Sequence, residues 1–147
     1  MKPSPPGWPR LTSAVFYQDA SAAIDWLCAT LGFKIRLKIV GEDGGIVHSE
    51  LELADGLIMV GSAEIKRAWC RSPKALNGAN TQCLMAYVDD VDAHCAHARA
   101  GGAKILSEPT TVDYGEEYWT DRNYECADPE GHHWWFIQRM CTAAPKS

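Results

Sequence analysis

Near its C-terminal end the sequence runs DPEGHHWWFIQR, residues 128–139, with two adjacent histidines of the type that binds metal ions. The stretch reads as a strand entered from a tight turn, and successive side chains on a strand point to opposite faces. His132 and His133 therefore cannot grip one ion together from regular β geometry. His94 and His97 stand three apart with Cys95 between them, a spacing that puts both histidines on one face of a helix. Val91, Cys95 and Ala98 mark the buried stripe of that helix, so the histidine pair is expected in solvent, with incidental metal binding as the alternative. His48 lies in phase with Glu50 and Glu52 on a strand. A His–Glu pair in a cup can do general acid–base work. The face carrying it is either open to water or the polar wall of a cup. Cys83 would be a nucleophile if a basic neighbour lowered its pKa, but none is visible in the sequence, and a buried, inert thiol is expected.

These residues depend on elements that the local pattern predicts. Residues 1–10 hold four prolines and form an irregular lead-in. Residues 11–18 are short and rich in β-formers, a strand. A helix follows. Asp19 or Ser21 can cap it, Ile24, Leu27, Cys28 and Leu31 repeat at helical spacing, and Gly32 stops it. Residues 33–40 alternate apolar and basic side chains, a strand with one wet face. Residues 46–53 alternate again after a glycine turn, and 57–62 make a short, buried strand. Residues 64–80 are basic and aperiodic, a connection. The order then repeats: strand 81–88, a helix through residue 100, a strand over 103–112 that Pro109 confines to an edge or bend, and a hairpin around the PEG turn. The expected organisation is a lead-in (1–10), a first βαβββ module (11–63), a connection (64–80), a second module (81–140) and a tail (141–147).

Composition sets the outer limits. Hydrophobic residues make up 46% and charged residues 22% of 147, which is an ordinary globular balance. The net charge of −5 argues against nucleic acid, whose phosphates need a basic face. It permits a cationic small ligand. Six tryptophans serve either core packing or an aromatic ligand cleft. Six cysteines include no C-x-x-C pair, so zinc-knuckle spacing is absent. The opening MKPSPPGWPR has no apolar signal region, and no apolar run reaches the ~20 residues that span a bilayer. These features predict a cytoplasmic protein with reduced thiols and no membrane partner.

The doubled βαβββ order, with VDDVDAHCAHARAGGAKILSEP (88–109) and YGEEYWTDRNYECADPEGHHWWF (114–136), resembles the vicinal oxygen chelate superfamily. That group holds glyoxalase I, bleomycin-resistance proteins and extradiol dioxygenases. The likeness covers about residues 11–139 and is nearest to the glyoxalase/bleomycin-resistance-like (PhnB-like) proteins. It implies an α+β fold in which two modules form a curved mixed sheet with helices outside. Its motifs specify the fold well and the reaction poorly.

The resemblance also implies a place for one metal, held by His or Gln on the first strand and Glu on the last strand of each module. By position those places fall on Thr12, Met59, Cys83 and Trp135. Three of these are not ligands for a divalent ion, so neither metal nor cofactor is expected. Extending the strand alternation gives a cup lined by Thr12, Ala14 and Phe16, by His48 and Glu50, and by Leu57 and Met59. Cys83, Met85 and Tyr87 continue it, then His133, Trp135 and Ile137, with Tyr118 and Trp119 placed to cover it from a loop. Trp134 and Phe136 take the other face, against a helix. The function expected is metal-free binding of a small aromatic or cationic ligand, as in drug-sequestering members conferring antibiotic resistance. The alternative is a metal-dependent enzyme of glyoxalase or dioxygenase type. The family's cup is often completed across two chains, so a homodimer is expected.

Overall fold

The computed structural model describes residues 1–63 and 68–142. The remainder of the predicted connection and tail, residues 64–67 and 143–147, lies outside the described residues. The chain divides into two compact units, Met1–Ala79 and Asn80–Ser147.

Unit 1 runs β1 (Ser13–Tyr17), α1 (Ala20–Leu31), β2 (Lys34–Val40), β3 (Ile46–Leu53) and β4 (Gly56–Ser62). The strands lie in the order β1-β4-β3-β2, with β1 parallel to β4 and the other pairs antiparallel. Helix α1 starts where Asp19 accepts a hydrogen bond from Ala22 N at 3.0 Å. It stops at Gly32, whose φ of 81° is the left-handed conformation that a side chain resists. Its inner face buries Ile24, Leu27 and Leu31 on Val15, Tyr17, Leu51 and Val60 of the sheet. Each of those aliphatic side chains contributes about 1.5–3 kcal/mol of burial.

Strand β2 departs from the simple alternation. It is an outer strand, and its register with β3 shifts between Ile35 and Leu37, a bulge centred on Arg36. The bulge resets the phase. Leu37 and Ile39, paired with Glu50 and His48, are therefore exposed on the face opposite α1, while Arg36 and Lys38 find partners. Lys38 reaches Ser21 Oγ at 3.2 Å on α1, and Arg36 turns to the opposite face of the sheet. The wet face of this strand is largely apolar, contrary to the sequence expectation.

Unit 2 repeats the plan with β5 (Leu84–Tyr87), α2 (Val91–Ala100), β6 (Lys104–Asp113), β7 (Trp119–Ala127) and β8 (His133–Thr142). The strand order is β5-β8-β7-β6, with β5 parallel to β8. Asp90 caps α2 through Ala93 N, and Gln138 Oε1 accepts from Val91 N at 3.1 Å. Beneath α2 an aromatic stack runs across two strands. Trp134 and Phe136 lie 6.3 Å apart at 13°, and Phe136 and Tyr124 lie 5.4 Å apart at 20°. Strand β6 is the sheet's outer strand, and its register breaks between Ser107 and Thr110, where Pro109 has no N–H to give. Strand β8 continues two residues past the expected module end, into the predicted tail.

Both sheets are mixed and each carries one helix, so the α+β class and the doubled βαβββ plan hold. Among the described residues no helix is long and apolar enough to cross a membrane.

Candidate functional site

On unit 1 the sheet face opposite α1 holds the candidate site. Strand pairing aligns Ala14 with Met59 and Met59 with Glu50, so these side chains form one row across β1, β4 and β3. Phe16 pairs with Gly61 in the next row. A methyl on Gly61 would meet the Phe16 ring at 3.3 Å, so the glycine is what lets the ring lie against the strand. A cavity of about 320 Å³ opens here, with Phe16, His48 and Met59 in its wall. Val60, Gly61 and Ser62 of β4 and the β2–β3 turn around Asp43 complete it. Its size suits a small ligand, and its wall is mostly apolar with a few polar groups.

Glu50 adjoins this wall and is only 7% exposed. Its Oε1 lies 3.2 Å from His48 Nε2, and its Oε2 lies 3.4 Å from Arg36 Nε. Arg36 also pairs with Glu52 at 3.5 Å and donates to Gly7 O at 2.6 Å, and the Trp8 ring centroid lies 3.8 Å from its guanidinium. The proline-rich lead-in thus anchors the arginine that holds the buried glutamate. Sequence reasoning left the His48–Glu50 face open between water and a cavity wall; His48 lines the cavity and Glu50 is buried behind it.

Two contributors were not legible. Cys70 is buried and lines the cavity, and Trp69 packs edge-on to Phe16 with centroids 6.1 Å apart. Both lie in the aperiodic connection, where no alternation marks a face. Arg36 was hidden by the bulge. The one available signal was the alternating basic residue facing two in-phase glutamates.

On unit 2 the sheet face opposite α2 places Met85 beside Trp135 and Tyr87 beside Ile137 through the parallel register. Arg139 donates to Tyr87 Oη at 2.8 Å and pairs with the buried Asp121. Its guanidinium lies 4.8 Å from the Trp119 ring centroid. Trp135 Nε1 is buried without a hydrogen-bond partner among the described residues. His133 is half-buried at the start of β8. Leu57 and Ile137 are buried in their own units.

Three expectations are corrected. Cys83 is exposed, because β5 begins only at Leu84 and leaves it ahead of the sheet. Trp119 is the first residue of β7 and not part of a loop. His94 is half-buried: Nδ1 lies 2.7 Å from Tyr124 Oη, and the ring centroid lies 4.2 Å from that of Phe136. Residues 91, 94, 95 and 98 complete a helical stripe, and His94 belongs to it. His97 alone of the pair is exposed. Burial pushes the Tyr124 phenol upward, and it pushes the Cys126 thiol up to about 12, so both stay protonated.

Three of the four residues at the positions that the resemblance assigns to a metal do not fit one, and the fourth, Cys83, is exposed ahead of β5. The Thr12 hydroxyl donates to Leu57 O, and Met59 offers only a thioether. The indole of Trp135 has a donor and no lone pair. Glu50, the buried carboxylate nearby, is already engaged by Arg36 and His48. Among the described residues no group of three or more His, Cys, Asp or Glu side chains is arranged to hold an ion.

Comparison with known proteins agrees with this architecture. The model of the Glyoxalase/Bleomycin resistance protein/Dioxygenase superfamily matches residues 11–136, and the chain belongs to that superfamily. An uncharacterised protein of Mycobacterium bovis, Mb0911c, is 28% identical over 128 residues, spanning 86% of this chain and 80% of that protein. The crystal structure of TioX from Micromonospora sp. ML1 is similar with a TM-score of 0.68 and 27% identity, covering 90% of this chain and all of that one. A glyoxalase/bleomycin resistance protein from Streptomyces sp. CB03234 shares the fold, with a TM-score of 0.62 and 20% identity over 86% of this chain and 97% of its own.

Proposed function

We propose that this protein is a metal-free binder of a small, flat, aromatic and preferably cationic molecule, acting as a cytoplasmic homodimer that sequesters its ligand. The observation that carries the reading is the unit 1 cavity, with Met59 in its wall where metal-dependent relatives would carry a carboxylate. Phe16 offers a ring for stacking, which contributes about 0.5–1.5 kcal/mol beyond area burial. Asp43 at the β2–β3 turn favours a positive ligand over a negative one. The unit 2 face is by itself a second candidate surface, with Met85, Tyr87, Trp119, His133 and Trp135 as its aromatic and polar groups and the exposed Cys83 beside it in sequence. The exposed apolar side chains of the outer strand β2 support a homodimer, since such an edge calls for a cover.

The test is elemental analysis of untagged protein joined to a turnover assay. The expected result is far less than one metal per chain and no turnover of thiol adducts or catechols. Close to one Zn, Ni, Mn or Fe per chain, with turnover, would replace this reading by a glyoxalase- or dioxygenase-type enzyme.

A further inference from the structure

His48 is the polar group of the unit 1 cavity whose hydrogen-bonding sense is set by its surroundings. Its Nε2 faces Glu50 Oε1 at 3.2 Å. The other carboxylate oxygen faces Arg36 Nε at 3.4 Å, and Arg36 is fixed by Gly7 O and the Trp8 ring. A carboxylate set against a guanidinium accepts hydrogen bonds and donates none. The imidazole nitrogen beside it must therefore carry the hydrogen. In the neutral ring this leaves the lone pair on Nδ1, and His48 lines the cavity, so that nitrogen is the acceptor the ring can offer to a bound molecule.

We infer that His48 selects ligands that donate a hydrogen bond, so the cavity takes protonated N-heteroaromatics in preference to their quaternary counterparts. This rests on the binding reading above and sharpens it. A protonated heteroaromatic ring stacks on Phe16, brings its charge toward Asp43 and gives its ring N–H to His48 Nδ1. A quaternary ring of the same shape and charge stacks equally well. It puts an alkyl group against Nδ1 and leaves that nitrogen desolvated and unpaired.

Two probes isolate the difference. The para-dimethylaminopyridinium ion carries one ring N–H at neutral pH, and its N-methyl analogue carries none; both are flat monocations. Calorimetric titration of the full chain should show the N–H form binding about tenfold more tightly, the weight of one charge-assisted hydrogen bond. His48→Leu should bring the two affinities together. Glu50→Gln should narrow the gap, since an amide can also donate to Nε2 and shift the ring hydrogen to Nδ1. Equal affinities in the unaltered chain would overturn the inference and leave the binding reading standing. Absence of binding by either cation would overturn both. A preference that survives His48→Leu would assign the selectivity to another residue and overturn the inference alone.

Discussion

Asp128 accepts three hydrogen bonds inside the hairpin of unit 2: from Glu130 N at 3.1 Å, from His132 N at 3.0 Å and from Trp134 Nε1 at 3.1 Å. The carboxylate is buried, so its removal strands three donors. Asp128→Ala should lower stability by on the order of 3 kcal/mol, read as a drop in the urea midpoint with unchanged slope. His132 belongs to this structural turn and His133 opens β8, so only the second of the two lies on the strand that the sequence assigned to both. Thiols give a second residue-scale expectation. Cys83 and Cys141 are exposed, whereas Cys70, Cys95 and Cys126 are buried, so a thiol reagent should modify the first two within the native state and the others only on unfolding. Mass spectrometry of peptides from briefly labelled protein checks this, and early labelling of Cys126 would contradict it. Cys83 and His94 show where single residues escape sequence reasoning. The first depends on where a strand begins, the second on a stripe that a polar residue shares with apolar ones.

At the scale of elements, α2 and β8 meet through the aromatic stack, and Trp134 is its largest buried member. Trp134→Ala should cost about 3–5 kcal/mol of stability. Trp135→Ala, on the opposite face, should cost less stability and weaken any ligand binding at the unit 2 face more, measured at matched folded fraction. The buried Cys126 adds a pH dependence. Its folded thiol is raised from about 9 to about 12, chiefly by burial, so the folded state keeps a proton that the unfolded chain releases near its ordinary value. Its contribution is full below pH 9 and falls as pH rises toward 12. Tyr124, also raised by burial, acts with the same sign. Urea midpoints across that range should fall less steeply for Cys126→Ala than for the unaltered chain. Helix α1, with its Asp19 cap and Gly32 stop, and the β6 break at Pro109 were legible because caps and proline act locally. The phase of β2 was not, because a bulge is decided by the partner strand and by the Arg36–Glu50 pairing across it.

At the scale of the whole molecule, the fold was legible because the same order of elements occurs twice, and each copy closes its own four-stranded sheet over one helix. The candidate site was legible in part. Strand alternation found Phe16, His48 and Met59, and missed Cys70 and Trp69 because the connection has no period. Sedimentation at tens of micromolar should give a particle of twice the 16.2 kDa chain, and a 16.2 kDa species there would contradict the homodimer. The central claim is metal-free binding in a cavity lined by Phe16 and Met59, and it is tested most directly by titrating chelator-treated protein with a planar cation while following tryptophan fluorescence. Saturable quenching that survives chelation and weakens several-fold in Phe16→Ala is the predicted result. Quenching that vanishes on chelation and returns with one equivalent of a divalent metal would contradict it.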